Sequence, residues 1–156
     1  MIDLNLPKKL AYPTYNFNVK SENNVTFVFD EIRKKWLVLT PEEWVRQHIV
    51  FYLVDQKGYP ASLIGIEKTV VINTLKKRFD IVCFNNRAEP ILIIECKAPE
   101  IVLQRTTIEQ VNRYNEVIGA AIMMITNGID TYLMRKNSSN NTISYLNEIP
   151  HYKDFI

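Results

Sequence analysis

Three charged residues, Asp80, Glu95 and Lys97, stand in two runs that are otherwise rich in apolar side chains, KKRFDIVCF and PILIIECKAP. Val, Ile, Leu and Phe at 79–84 and 91–94 suit a buried, pleated surface. Between the runs lies Asn85-Asn86-Arg87-Ala88-Glu89-Pro90, a polar turn whose proline resists strand pairing. A hairpin is expected. If Phe84 pairs with Ile91, Val82 falls opposite Ile93 and Asp80 opposite Glu95, with Cβ atoms roughly 5 Å apart. Lys97 then lies on the Glu95 face, about 7 Å along the strand. Two carboxylates about 5 Å apart repel by about 3 kcal/mol at an effective dielectric of about 20, so a positive charge belongs there.

Two sources of that charge are open. One is a structural ion pair in which Lys97 and Arg78 neutralise the acids at the sheet's edge. The other is a divalent cation. Asp80, Glu95 and the backbone carbonyl of Cys96 offer the hard oxygen ligands that Mg²⁺ takes, with Mn²⁺ as a substitute. Lys97 would then hold or help deprotonate a water, or neutralise charge building on a phosphate.

The whole chain bounds the choice. At 156 residues and 47% hydrophobic content it is expected to be one soluble domain with a single good core. No run of about eighteen apolar residues occurs and the N-terminus lacks a signal-peptide core, so no membrane partner and a cytoplasmic setting are expected. Cys83 and Cys96 fall roughly 13 Å apart in the register above, beyond disulfide reach. His48 and His151 have no metal-ligand spacing with another His or Cys, which argues against zinc. The net charge is only +2, so any attraction to nucleic acid must come from the clusters Lys8-Lys9, Arg33-Lys34-Lys35 and Lys76-Lys77-Arg78, the last beside the acids.

The elements that must position the trio follow from local patterns. Residues 1–24 read as a polar N-terminal extension, loosely packed. The runs at 25–29 and 36–39 form an N-terminal β-hairpin. Thr40-Pro41-Glu42-Glu43 is a helix start with a capping box, and the helix runs to about Asp55 or Lys57 with Gly58 beyond. A strand at 66–72 flanks the Asp80 strand; its Glu67 is either a further site carboxylate or a ladder charge. A second helix is expected to start near Thr106 or Thr107, each with a capping-box partner, and to stop at Gly119. Gln110 and Tyr114 share one of its faces. A strand at 120–126 returns parallel through a right-handed crossover, and strands at 131–135 and 142–145 follow. Residues 25–146 make the domain and 147–156 a tail.

Asp, about fifteen residues, then Glu-x-Lys on neighbouring strands resembles the core of the PD-(D/E)xK nuclease superfamily, with Phe79 standing where a proline often precedes the acid. The elements EQVNRYN, LTPEEWVRQ and ITNG extend the likeness, and from about Val25 to Tyr145 the chain resembles the N-terminal nuclease domain of the type I restriction enzyme R subunit. The resemblance implies an α/β, restriction-endonuclease-like core in the order α-β-β-β-α-β, a mixed central sheet flanked by helices. It implies that Asp80 and Glu95 bind metal, Lys97 assists the water, Gln110 and Tyr114 support the site, and a first-helix acid, Glu43, reaches toward the metal.

No G-x-x-x-x-G-K-[ST] phosphate loop is present and glycines number four, so no ATP motor and no nucleotide cofactor are expected. The expected function is Mg²⁺-dependent endonuclease-type hydrolysis of DNA without a motor. The alternative is a catalytically silent DNA-binding or assembly module of a restriction or repair system. Pairing as a homodimer or with other restriction subunits accords with either.

Overall fold

The chain was analysed as a computed structural model that describes residues 7–156. Among these residues no helix is long and apolar enough to cross a membrane. The part of the N-terminal extension at residues 1–6 lies outside them.

Strands β1 (Val19–Glu22), β2 (Val25–Asp30) and β3 (Lys35–Val38) form a three-stranded antiparallel sheet. Helix α1 (Pro41–Asp55) begins as its sequence dictates: Pro41 fills the first turn and Thr40 Oγ1 accepts from the Glu43 amide at 3.1 Å. Then come β4 (Ile64–Ile72), β5 (Leu75–Phe84), β6 (Pro90–Cys96), α2 (Arg105–Ile118) and β7 (Ile122–Thr126). This is the expected α-β-β-β-α-β core. Strands β8 (Thr131–Asn137) and β9 (Thr142–Tyr145) extend it into a six-stranded sheet of order β4-β5-β6-β7-β8-β9. All neighbours are antiparallel except β6 and β7, whose parallel pairing follows from the α2 crossover.

The sheet is covered on both faces, which is why β6 reads as a continuous apolar run. On one face α1 packs Val45, Ile49 and Leu53 against Ile81, Cys83, Leu92 and Ile94. On the other, α2 packs Val111 and Ile118 against Phe79, Val82 and Ile93. Both cysteines are buried and unbonded, as their spacing predicts.

The register holds at Val82↔Ile93 but slips at the turn, where a bulge pairs Phe84 with Pro90 instead of Ile91. Pro90 therefore opens the strand, a position where a missing N–H is tolerated. A second departure matters more. Phe79 packs beside Val82, so strict alternation fails between them. Opposite this break, β4 pairs through Ile66↔Ile81 and Lys68↔Phe79, while Glu67 between them takes a left-handed φ of 49°. Helix α2 starts at Arg105 with Gln104 before it and no side-chain cap, so neither Thr106 nor Thr107 forms the expected box. Gly119 ends the helix at φ 74° as expected, and buried Asn115 reinforces that end through two hydrogen bonds with the Ala120 backbone.

Two segments read as peripheral enter the core. Residues 7–24 contribute strand β1, a buried Leu10, and Phe17 stacked among Trp44, His48 and Phe51. The last ten residues bury Ile149 and Tyr152, and the Tyr152 amide donates to the Lys57 carbonyl at 2.9 Å.

The turn after β7 ties these parts together. Gly128 sits at φ 85°, and a Cβ there would stand 2.8 Å from Leu10 Cδ2 and 3.1 Å from Val45 Cγ2. Gly128→Ala is therefore expected to lower stability by about 1–3 kcal/mol, from an unfavourable backbone region plus displaced Leu10. Urea unfolding checks this; an unchanged midpoint would remove the close approach from the account.

Candidate metal centre beyond the β5–β6 ladder

Asp80 and Glu95 come together where β5 and β6 leave the apolar core, through a route the alternation rule did not foresee. Because the β5 pattern breaks at Phe79, the Asp80 carboxylate reaches the α1 side. Its Oδ1 accepts from Arg46 Nη2 at 2.8 Å and its Oδ2 from the Cys96 amide at 2.7 Å. Glu95 stays in line with Ile93 and pairs across the ladder with Ile125 on the α2 side. The two carboxyls still come near enough for the Asp80 charge to act on Glu95.

Glu95 carries the electrostatic tension. Burial, and then the neighbouring Asp80 charge, push its pKa up to about 7, against a weaker downward pull from Lys77. Lys77 Nζ stands 3.4 Å from Oε1, near enough for charge attraction, yet Oε1 is buried without a hydrogen bond. The same ammonium lies 5.2 Å from the Tyr114 ring centroid, so α2 reaches the site through Tyr114.

On the α1 side a chain of ion pairs runs back to the N-terminal sheet. Arg46, 5% exposed, bonds Glu43 Oε2, Glu42 at 3.1 Å and Asp80. Burial works against its charge; Glu43 and then Asp80 more than offset that and raise its pKa. Arg33, from the β2–β3 turn, reaches Asp30 at 2.7 Å, Glu43 at 2.8 Å and Glu67 at 2.8 Å. Gln47 adds bonds to Asp30 and Glu43, each 2.9 Å.

The remaining residues singled out from sequence sort themselves by these contacts. Glu43 is helix N3, but its carboxylate serves Arg33, Arg46 and Gln47, leaving the capping box half made. Glu67 joins Arg33 and not the Asp80–Glu95 pair. Arg78 is exposed and makes no ion pair among the described residues, so Arg46 and Lys77 take the neutralising place considered for Arg78 and Lys97. Lys97 follows β6, its amide donating to the Thr126 carbonyl at 2.8 Å, and its ammonium pairs with no carboxylate among the described residues. Gln110 is exposed on α2, one turn from Tyr114. Sequence reading missed Arg46, whose signal was available: Glu42, Glu43 and Arg46 are spaced i, i+3 and i, i+4 on α1.

Among the described residues no three His, Cys, Asp or Glu side chains form a metal cage. The donor set is two carboxylates with the Cys96 carbonyl on the same strand end, a number that suits Mg²⁺, which keeps several waters. The fit is electrostatic. Asp30, Glu42, Glu43, Glu67, Asp80 and Glu95 face Arg33, Arg46 and Lys77 across the network, a surplus of three carboxylates, and the unpartnered Glu95 Oε1 lies within it. Two cavities of about 580 and 500 Å³, beside α2 and beside α1, are lined by other residues. The acids sit instead where the β5–β6 ladder ends, each largely covered.

Glu95 also makes stability depend on pH in a definite direction. With a folded pKa near 7 against an ordinary 4.5, the folded state holds its proton longer than the unfolded chain, so stability falls as pH rises from 4.5 to 7. In metal-free buffer Glu95→Gln is expected to be more stable than wild type by about 1–3 kcal/mol at pH 8, with the gain shrinking toward pH 4.5. Thermal melts across that range measure it; a pH-independent difference would mean Glu95 is ordinary.

Comparison with known proteins places this geometry in context. The family described as Type I restriction enzyme R protein N terminus matches residues 41–150, most of the chain. No curated protein matches. A solved fragment assigned to the HsdR subunit of a type I restriction enzyme from Vibrio vulnificus YJ016 shares the fold, at TM-score 0.51 and 16% identity. The alignment covers 72% of this chain and 24% of that one, so the chain spans about a quarter of that fragment's length.

Proposed function

The chain belongs to the type I restriction enzyme R protein N-terminal family, and from that membership and the meeting of Asp80 with Glu95 we propose that it is a metal-dependent DNA endonuclease of PD-(D/E)xK type. One observation carries the reading: a buried carboxylate oxygen with no hydrogen-bond partner, on an acid whose pKa burial and the neighbouring Asp80 charge already raise. Asp80, Glu95 and the Cys96 carbonyl are the residues that would hold Mg²⁺ or Mn²⁺. A bound divalent ion supplies an activated water at neutral pH and charge stabilisation for the leaving oxygen.

The chain's own residues supply the rest. Lys97, unpaired with any acid among the described residues, is free to orient a water or to neutralise charge on a phosphate. Tyr114 fixes Lys77 beside Glu95, and Gln110, one turn away and exposed, is positioned for the nucleic acid backbone. Lys76 and Arg78 lie exposed on β5 next to the acids and offer local phosphate contacts that the small net charge does not. Cleavage is proposed to need no ATP and to take place in the cytoplasm, alone, as a pair of copies, or with other restriction subunits.

One observation favours the silent-module alternative, in which the chain binds DNA or assembles without cutting: Arg46 already neutralises Asp80. Incubation of supercoiled plasmid with Mg²⁺ or Mn²⁺ separates the two. Nicking by wild type, reduced at least about 100-fold in Asp80→Ala and Lys97→Ala, is the expected result. Retention of plasmid in a gel-shift assay, without nicking under either metal, would support the silent module.

A further inference from the structure

Arg46 is more than a neutralising partner, because of where its guanidinium stands. It is 5% exposed and its Nη2 is shared between Asp80 Oδ1 at 2.8 Å and Glu42 at 3.1 Å, while Nη1 bonds Glu43. Its Nε, also buried, has no partner among the described residues. The group therefore has alternative carboxylates on its own helix and is not saturated where it sits. Asp80, for its part, spends one oxygen on Arg46 and the other on the Cys96 amide.

We infer that Arg46 is a resident cation at Asp80, which a divalent metal ion must displace, and that Glu42 and Glu43 are the acids that receive it. The inference rests on the metal-binding reading of Asp80 and Glu95. A guanidinium and a divalent ion on one carboxylate repel each other, and in a partly buried site that repulsion is not screened away. Metal entry shifts Arg46 fully onto Glu42 and Glu43, freeing Asp80 Oδ1. Arg46 is thus a positioning residue that sets the metal concentration at which the site fills.

A merely structural Arg46 and a competing Arg46 predict opposite signs. If it only holds Asp80 in place, its removal loosens metal binding; if it competes, removal tightens it. Isothermal titration of Mg²⁺ into wild type and Arg46→Gln is expected to show binding about tenfold or more tighter in the variant. Should Arg46→Gln not fold, side-chain NMR of the wild type decides: Mg²⁺ should shift the Arg46 Nε–H signal with the titration's own midpoint, with Arg33 as the internal reference. Equal or weaker Mg²⁺ binding by folded Arg46→Gln, or an Arg46 signal that Mg²⁺ leaves unmoved while the ion binds, overturns the inference and leaves the metal reading intact. No Mg²⁺ binding by either protein overturns both.

Discussion

Asp80 is held from two sides at once, by the Arg46 guanidinium and by the Cys96 amide, and the candidate site depends on that grip. The Cys96 amide fixes the middle of β5 to the end of β6 just where the ladder between them stops. The guanidinium fixes the same carboxylate to α1. Without the first, β5 and β6 would lose their link beyond the ladder; without the second, Asp80 would stand beside Glu42 and Glu43 with no cation between them. A buried carboxylate needs partners of this kind, since desolvating an unpaired charge costs several kcal/mol.

The ion pairs behind Asp80 extend this constraint to the rest of the molecule. Arg33 crosses from the small N-terminal sheet to α1 and to β4, so three elements distant in sequence are tied at one guanidinium. An isolated surface pair is worth under about 1 kcal/mol, whereas breaking a buried one costs about 3–5 kcal/mol because the partner charge is stranded. The N-terminal sheet therefore does more than decorate the core: it contributes a cation that holds the Glu43 carboxylate in place. Glu67 pays for its own part in the network with a left-handed backbone, a strain that persists only where surrounding contacts over-determine it. Across the sheet the balance tips the other way, and burial together with the Asp80 charge outweighs Lys77 at Glu95.

Much of the fold was legible because its signals are local. Thr40-Pro41 started α1, Gly119 stopped α2, and continuous apolar runs marked strands covered on both faces. Val82↔Ile93 followed from the hairpin rule, whereas the route by which Asp80 approaches Glu95 did not. What escaped was set by side chains from far along the chain. The break in alternation at Phe79 answers to Glu67 on the neighbouring strand, which no period-2 pattern reveals. Arg33 read as part of a basic cluster available to nucleic acid, yet three acids from β2, α1 and β4 turn it inward. Arg46 lay unnoticed among helix residues because its role comes from β5, 34 positions away. The packing of residues 7–24 was missed for a similar reason: a polar stretch can still supply the one Leu and one Phe that a helix face requires.

The central claim is that Asp80 and Glu95 together take up one divalent ion. Electron paramagnetic resonance of Mn²⁺ at pH 8 tests it directly, because protein-bound ion drops out of the sharp six-line spectrum of the free ion. One Mn²⁺ is expected to leave that spectrum per wild-type chain and to stay in it when Asp80→Asn is added instead. A free-ion signal that wild-type protein does not diminish, or that Asp80→Asn diminishes equally, would contradict the account.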